Sequence, residues 1–371
     1  MRVGILVPSI GNFGDAKFYN SQENGLALAL SRTKKYEEIV IYKAVTKQTK
    51  MKDYSLNDVV KVVLLPVRNI GANGLIDVTA LDKTLQGLIC FSDNQLCIPT
   101  VAHWCKRNGV LFIPYIGVIE SHSTGFVKRR VMDLLCNRNL RIYKQSMNFV
   151  KTPYVKAKLL SRGVGERKLK VMPVGLDLNH MKKQWDRDAA EEFRLLFVGR
   201  LEPEKRPLEM LEIYEAVCKR VGSERKILLL MVGKGVLQPE VLSAIDRMED
   251  SLKQNIHYTE QIPNADMWEL YCKSDVFVNL NCVEIFGMSL LEAMYYECPI
   301  VAQHAPGPNF IFENGKYASL CENVEEIVVE LCRMISDGAD LEKTQQAKAH
   351  LLECFTWDAS VQEILPLLCG E

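Results

Sequence analysis

Short apolar runs alternate with amphipathic stretches along almost the whole chain. In the first half, runs with the composition of strands occur at 3–7, 39–42, 62–65, 88–91 and 110–113. Amphipathic segments between them, such as 22–32 and 100–107, have the spacing of helices. This rhythm predicts parallel sheets, because parallel strands need long crossover connections. It resumes at Arg194 after a polar stretch, so we expect an α/β protein of two doubly wound, Rossmann-like domains facing each other across a cleft.

Composition narrows the class of protein. The chain has 371 residues, enough for two domains, and 48% of them are apolar. No apolar run reaches the roughly 18 residues of a membrane span, and the first strand runs straight into a turn, so neither a spanning helix nor a signal peptide is expected. The twelve cysteines include no C-x-x-C pair and form no zinc-like cluster with histidine. A reducing cytoplasm is therefore the expected location.

The formal net charge of zero hides an asymmetry between the halves. Residues 1–188 carry +15 and the remainder −15. Such a split predicts that the two halves face different partners. The basic half is expected to face an anionic partner. Within it, residues 126–145 combine cations with apolar residues at helical spacing. The pattern fits a helix lying on an anionic membrane, and it also fits an ordinary solvated helix.

Two carboxylates eight positions apart mark the strongest candidate site. Glu284 follows the apolar run 276–280, and Glu292 lies in the first turn of the next predicted helix. Parallel sheets bind ligands at such strand ends. Helix N-terminal N–H groups suit a phosphate and carboxylates accept hydrogen bonds from hydroxyls, so a nucleotide sugar fits both. Alternatively, Ser289 and Glu292 form a capping box, in which Glu292 only satisfies a backbone N–H.

Residues 195–320 resemble the C-terminal domain of the GT-B glycosyltransferases of family 4. The resemblance rests on four segments in the expected order: FVGRLEPEKRP at 197–207, LLLMVGKG at 228–235, the pair of glutamates in 284–292, and CPIVA at 298–302. The N-terminal half matches in outline only. The resemblance implies a GT-B fold with a first, acceptor-side domain at 1–175, to which a final helix at 356–371 returns. It implies a nucleotide-sugar-binding domain at 191–355.

The resemblance also implies individual roles in the second domain. A departing diphosphate needs cations or N–H dipoles, and Arg200 and Lys205 are the candidates, although both could instead lie in a solvated turn with nearby glutamates. Together with Glu284, which would bind a sugar hydroxyl, they form the expected catalytic set. Glu292 would bind the ribose. The other donor-binding residues are expected to be Gly199, Gln261, Ile262, Phe286, Gly287 and Met288.

The acceptor side offers weaker signals. A glycine-containing loop at 9–14 follows the first strand and could approach a phosphate closely, although a simple tight turn would look the same. By resemblance, this loop would line the acceptor side, with Glu23 further on. Relatives carry a histidine after the fifth strand, and His122 is the nearest candidate here. The loop residues expected to line the acceptor side or to approach a phosphate are Gly11, Asn12 and Gly14.

No metal and no cofactor are expected. Asp186 and Asp188 match the D-x-D with which GT-A enzymes hold a divalent metal, but they lie in a polar stretch between the domains. The sequence predicts a cytoplasmic, retaining transferase, peripheral at the membrane, that moves a hexose or N-acetylhexosamine from a UDP-sugar. Its acceptor would be lipid-linked or an oligosaccharide of a surface polysaccharide, with no nucleic-acid partner. Two rivals stay open: a pseudoenzyme that binds nucleotide sugar and supports a partner transferase, and a nucleotide-sugar epimerase.

Overall fold

The computed structural model of the protein describes residues 1–10, 21–46, 50–71, 73–119, 126–182 and 192–369. The chain divides into two compact units, Met1–Asp177 with Phe355–Glu371, and Leu178–Cys354. Each unit is built on one large sheet of mainly parallel strands with crossover helices. The prediction of two doubly wound α/β domains is therefore confirmed.

The first unit contains a sheet whose strands are short, apolar and largely buried, as expected where helices cover both faces. Its strands and one small hairpin are β1 (Arg2–Val7), β2 (Glu38–Val45), β3 (Lys52–Ser55), β4 (Val60–Pro66), β5 (Arg68–Ile70), β6 (Asn73–Leu75), β7 (Gly87–Phe91), β8 (Leu111–Ile116), β9 (Asn148–Val150) and β10 (Leu169–Val171). Over the described residues the sheet has the order β10-β9-β8-β7-β1-β2-β4-β3, with β3 antiparallel to β4. The strand order reverses between β1 and β7.

The crossovers of the first unit are α1 (Gln22–Arg32), α2 (Ile98–Asn108), α3 (Phe126–Tyr143) and α4 (Pro153–Ser161). Local sequence explains several of their ends. Thr152 caps α4 by accepting the Val155 N–H at 3.3 Å, and a proline follows at the first helical position. Gly109 ends α2 with a φ of 71°, which a glycine adopts without strain.

The second unit has six strands over its described residues, and every pair of neighbours is parallel. They are β11 (Phe193–Val198), β12 (Ile227–Val232), β13 (Ile256–Thr259), β14 (Val276–Asn279), β15 (Ile300–Gln303) and β16 (Ser319–Cys321), in the order β13-β12-β11-β14-β15-β16. The helices are α5 (Pro207–Val221), α6 (Gln238–Asp246), α7 (Asp250–Lys253), α8 (Met267–Lys273), α9 (Met288–Tyr295), α10 (Pro306–Ile311), α11 (Val324–Asp337) and α12 (Leu341–Cys354). A buried apolar cluster joins β11, β12 and β14 to α5 and α11.

The last helix, α13 (Trp357–Cys369), belongs to the first unit. Thr356 caps it by accepting a backbone N–H of the first turn at 3.2 Å. The helix continues past Pro366, where the helical spacing of the sequence ends. Packing outweighs the hydrogen bond that the proline removes, because Trp357 is buried against Gly25 of α1, where any Cβ would overlap the indole ring.

The cysteines of the described residues are free thiols. Burial raises the pKa of Cys97, Cys105 and Cys321 to about 12, so these thiols remain protonated at neutral pH. Among the described residues, no helix combines the length and the apolar composition that crossing a bilayer requires.

Candidate functional site

In the second unit the strand order reverses beside β11. From β11 the chain adds β12 and β13 on one side, and it then returns to add β14, β15 and β16 on the other. Loops that leave adjacent strand ends in opposite directions open a crevice between them, and doubly wound sheets bind ligands in that crevice. Arg200 and Lys205 lie in the segment after β11, and Glu284 in the segment after β14.

Two glycines after β12 fix the loop that follows β11. The Gly199 N–H donates to the carbonyl of Val232 at 3.0 Å, and the Leu201 N–H to that of Lys234 at 3.1 Å. A Cβ at Gly233 would overlap the carbonyl oxygen of Gly199, and one at Gly235 that of Leu201. Only residues without side chains let the two loops approach so closely. The GKG segment therefore positions the predicted donor loop.

The predicted catalytic residues Lys205 and Glu284 are in direct contact. Lys205 Nζ donates to Glu284 Oε2 and forms an ion pair with it. The two side chains are 21% and 15% exposed, so the pair is partly screened from water. A cation and a carboxylate that lie 79 positions apart in sequence thus meet at the crevice.

Arg200, the third predicted catalytic residue, is not part of this contact. Its side chain is 71% exposed and faces Glu204 at 3.6 Å. This arrangement matches the alternative interpretation of a solvated turn, and an exposed pair of this kind contributes little to stability. An unrestrained arginine beside the crevice can still reorient toward a bound anion.

Asn281 orients Glu284, and sequence analysis did not find it. The Asn281 side chain is 4% exposed, donates to Glu284 Oε2 at 3.0 Å and accepts the Val283 N–H at 3.1 Å. Its own N–H donates to Asn279 Oδ1 at 3.0 Å. Asparagine directly after a strand often makes such local turns, which is the signal that could have identified it.

The capping-box interpretation of Ser289 and Glu292 is wrong. Helix α9 begins at Met288 with Gly287 as its N-cap, and no side chain caps it. Ser289 therefore lies inside the helix and is not its N-cap, so its backbone N–H does not require Glu292 as a capping partner. Instead, Glu292 Oε2 accepts a hydrogen bond from the hydroxyl of Tyr271 at 3.0 Å.

The start of α9 is built for close backbone approach. Gly287 has a φ of 96°, and a Cβ there would come within 2.7 Å of Leu290 Cδ1. The Gly307 N–H at the start of α10 donates to the Glu284 carbonyl at 2.7 Å. The predicted donor residues Phe286, Gly287 and Met288 therefore lie at the N-terminus of α9, where the helix dipole favours an anion.

The predicted base-binding residues follow β13. Gln261 is exposed and accepts a hydrogen bond from Lys234 Nζ at 3.1 Å, and Ile262 is half-buried. The β12 and β13 loops are also joined by the Tyr258 hydroxyl, which donates to the Gly233 carbonyl at 2.9 Å. Gln261 and Ile262 therefore lie on the same edge of the sheet as Glu284, two strands from β11.

Several predicted residues lie outside the described residues. They are Gly11, Asn12, Gly14 and His122, together with Asp186 and Asp188. Glu23, also expected on the acceptor side, is 5% exposed and forms an ion pair with Lys43 at 2.6 Å. Among the residues that the structure does describe, no group of three or more acidic, cysteine or histidine side chains could hold a metal ion.

The site of the second unit combines two chemical functions. The Lys205 ammonium and the N–H groups at the start of α9 favour negative charge, as on a diphosphate. The Glu284 and Glu292 carboxylates accept hydrogen bonds, as from the hydroxyls of a sugar.

The second unit is similar in sequence to known proteins. Residues 181–350 match the family model described as glycosyl transferases group 1. The chain is 24% identical over 208 residues to a probable sucrose-phosphate synthase of Thermosipho melanesiensis, covering 54% of this chain and 47% of that protein. It is 27% identical over 143 residues to the alpha-monoglucosyldiacylglycerol synthase of Acholeplasma laidlawii, covering 38% and 34%. The chain thus spans half or less of the length of these curated relatives.

Among solved structures, the fold is similar to that of the Anabaena protein HepE in complex with UDP-glucose. The TM-score is 0.71 at 15% identity, and the alignment covers 100% of both chains. At this identity the likeness concerns the fold. Residues 181–350 are therefore similar to the glycosyl transferases group 1 family, and the chain has the GT-B fold.

Proposed function

We propose that the protein is a retaining glycosyltransferase of family 4 that moves a hexose or an N-acetylhexosamine from a UDP-sugar. The contact between Lys205 and Glu284 beside β11 carries the proposal, because it brings a cation for a diphosphate and an acceptor for a sugar hydroxyl into one site. A protein of the same fold, HepE, binds UDP-glucose. The acceptor would be a lipid-linked or oligosaccharide precursor, and a relative is named as the synthase of a glucosyldiacylglycerol.

The charges suit this reaction. Transfer breaks the bond between the anomeric carbon and a phosphate oxygen, so negative charge grows on the diphosphate and positive charge on the sugar ring. The negative charge on the diphosphate would be stabilised by Lys205, Arg200 and the N–H groups of α9. The positive charge on the sugar ring would be stabilised by Glu284. With retention, the departing phosphate oxygen would take the proton of the acceptor hydroxyl on the same face of the sugar.

Binding of the donor would rearrange the ion pair. Lys205 and Glu284 neutralise each other in the described structure. A diphosphate competes with the carboxylate for the ammonium, because it carries more negative charge. Glu284 would then be released from Lys205 and become available to the sugar, while Asn281 holds its position.

Substitutions at the ion pair should change UDP affinity in opposite directions. Lys205→Ala should weaken UDP binding roughly tenfold or more, since a charge-assisted contact is lost. Glu284→Gln should tighten it roughly two- to fivefold, since the competing carboxylate is gone. Isothermal titration calorimetry at low and high salt measures both, with Lys219→Ala on the exposed face of α5 as the control. Equal affinities of the three variants would contradict the assignment.

Replacing Glu284 should lower the transfer rate, although it should tighten UDP binding. Glu284→Gln should lower the transfer rate on the order of a hundredfold, because one electrostatic contact to the developing charge is removed. A UDP-sugar turnover assay measures this, with Glu269→Gln on the exposed side of α8 as the control and the melting temperature as a check of folding. Wild-type protein that binds UDP but releases no sugar would support the pseudoenzyme instead.

The reaction is expected to need no metal. The cations named above would neutralise the diphosphate, so EDTA should leave the transfer rate unchanged within error. The measurement is turnover before and after chelation, followed by addition of manganese. Loss of activity that manganese restores would reverse this expectation and direct attention to Asp186 and Asp188.

We also propose that the protein works in the cytoplasm against an anionic membrane surface, with α3 in contact. The exposed face of α3 carries Arg138 and Arg141, with the exposed Lys144 directly after the helix, and it also carries two apolar residues. Val131 is 49% and Leu134 is 69% exposed, although apolar residues of a helix normally face the core. Apolar side chains among cations are typical of interfacial helices.

Charge reversal at the C-terminal end of α3 and directly after it should reduce membrane binding. Arg141→Glu with Lys144→Glu should lower cosedimentation with phosphatidylglycerol vesicles, since each cation near such a surface contributes about 1 kcal/mol. Leu134→Ser should lower it further. The matched control is Lys219→Glu with Arg220→Glu on α5, which makes the same change of charge in the acidic unit. Wild-type protein that ignores these vesicles at low salt would favour an acceptor in solution.

A further inference from the structure

Tyr271 on α8 makes a hydrogen bond to the second glutamate of the candidate site. Its side chain is fully buried, and its hydroxyl donates to Glu292 Oε2 at 3.0 Å. Glu292 lies on α9 and is half-buried, so part of its surface is open to solvent. The tyrosine itself cannot meet a ligand, whereas the glutamate that it contacts can do so.

An aromatic frame fixes the ring of Tyr271. The ring stacks on that of Tyr296, which directly follows α9, with the centroids 6.0 Å apart and the planes within 11° of parallel. It also meets Phe277 of β14 edge-on, with the centroids 5.8 Å apart. Tyr296 is anchored in turn, because its hydroxyl accepts the Lys182 N–H at 3.1 Å. The frame therefore fixes the Tyr271 hydroxyl and, through it, the orientation of the Glu292 carboxylate.

The need of a buried hydroxyl for a partner does not by itself explain a carboxylate at this position. The hydroxyl of Tyr214, which is also fully buried in the second unit, donates to the Leu252 carbonyl at 3.1 Å. A neutral acceptor therefore suffices, and a charged group is more costly to remove from water. A carboxylate differs in having about four lone-pair positions, so Glu292 can accept hydrogens from Tyr271 and from a ligand at the same time.

The position of Glu292 on α9 relates it to one part of a nucleotide sugar. The helix begins at Met288, where the N–H groups favour a phosphate. Glu292 lies on the same face of the helix, about 6 Å further along its axis. In a nucleoside diphosphate the ribose follows the diphosphate directly, and its two adjacent hydroxyls suit the two oxygens of one carboxylate.

We propose that Tyr271 is a positioning residue for the donor, which orients Glu292 so that the carboxylate accepts hydrogen bonds from the ribose hydroxyls. The inference rests on the proposed function, because it takes a UDP-sugar as the donor. It adds a selectivity to that function. The second unit distinguishes a ribonucleotide from a deoxyribonucleotide through two residues, one of which never touches the ligand.

Calorimetry with two probes, UDP and 2′,3′-dideoxyuridine diphosphate, tests this role. Wild-type protein should bind UDP roughly tenfold or more tightly, because the dideoxy compound makes no hydrogen bond to the carboxylate. Tyr271→Phe keeps the ring and removes the hydroxyl, so this ratio should fall to about threefold or less. The affinity for the dideoxy compound should stay the same within error. Tyr214→Phe is the matched control and should keep the wild-type ratio.

A double-mutant cycle separates a positioning role from a merely structural one. Glu292→Ala should abolish the preference for UDP, and Tyr271→Phe in that background should change neither affinity, since both residues act through one carboxylate. A merely structural role of Tyr271 would lower the melting temperature and leave the ratio of the two affinities unchanged.

Three results would overturn the inference and leave the proposed function intact. The first is wild-type protein that binds both probes equally, and the second is a Tyr271→Phe variant that binds UDP with the wild-type ratio. The third needs no variant: it is a crystal structure of the UDP complex in which Glu292 does not contact the ribose, or leaves Tyr271 to reach it. Wild-type protein that binds neither probe would overturn the proposed function as well.

Discussion

The parallel pairing of β11 with a strand on each side determines where chemistry can take place in the second unit. β11 pairs over its full length with β12 and more briefly with β14. Because every connection is a crossover, the segments that follow β11 and β14 leave the same edge of the sheet toward opposite sides. Lys205 and Glu284 meet there although they are far apart in sequence. The glycines after β12 let the loop that follows β12 lie directly against the loop that follows β11 and support it.

The ion pair in that crevice is better explained by function than by stability. Both partners are largely removed from water, and the cost of desolvating them offsets much of their attraction. A well-packed apolar pair would hold the two loops together about as well. A cation and a carboxylate keep one property that an apolar pair lacks, since each can exchange its partner for a charged or hydroxylated ligand. Asn281 supports this view, because it orients Glu284 independently of Lys205.

The sequence predicted those parts of the fold and site that leave a local signal. Alternating apolar runs revealed the doubly wound sheets, and the segment around Glu284 indicated both the strand end and the following helix. Contacts between distant segments left no such signal. The pairing of Lys205 with Glu284 depends on which strands are neighbours, and the partner of Glu292 is a tyrosine on another helix. The capping box failed because the helix starts at Met288, two residues too early for Ser289 to be its N-cap.

Helix α3 shows why charge alone is an incomplete guide. From the sequence, its cations and apolar residues fit either a membrane or a solvated face. In the structure, one face of the helix carries Leu134 and exposed cations, and another holds the loop after β7 through Asn139 and Tyr143. Both faces belong to one rigid element, so a surface that binds the outer face also fixes the inner one. For the proposed lipid-linked acceptor this coupling would matter, because its anchor would lie in the membrane while its reacting hydroxyl would have to reach the site of transfer.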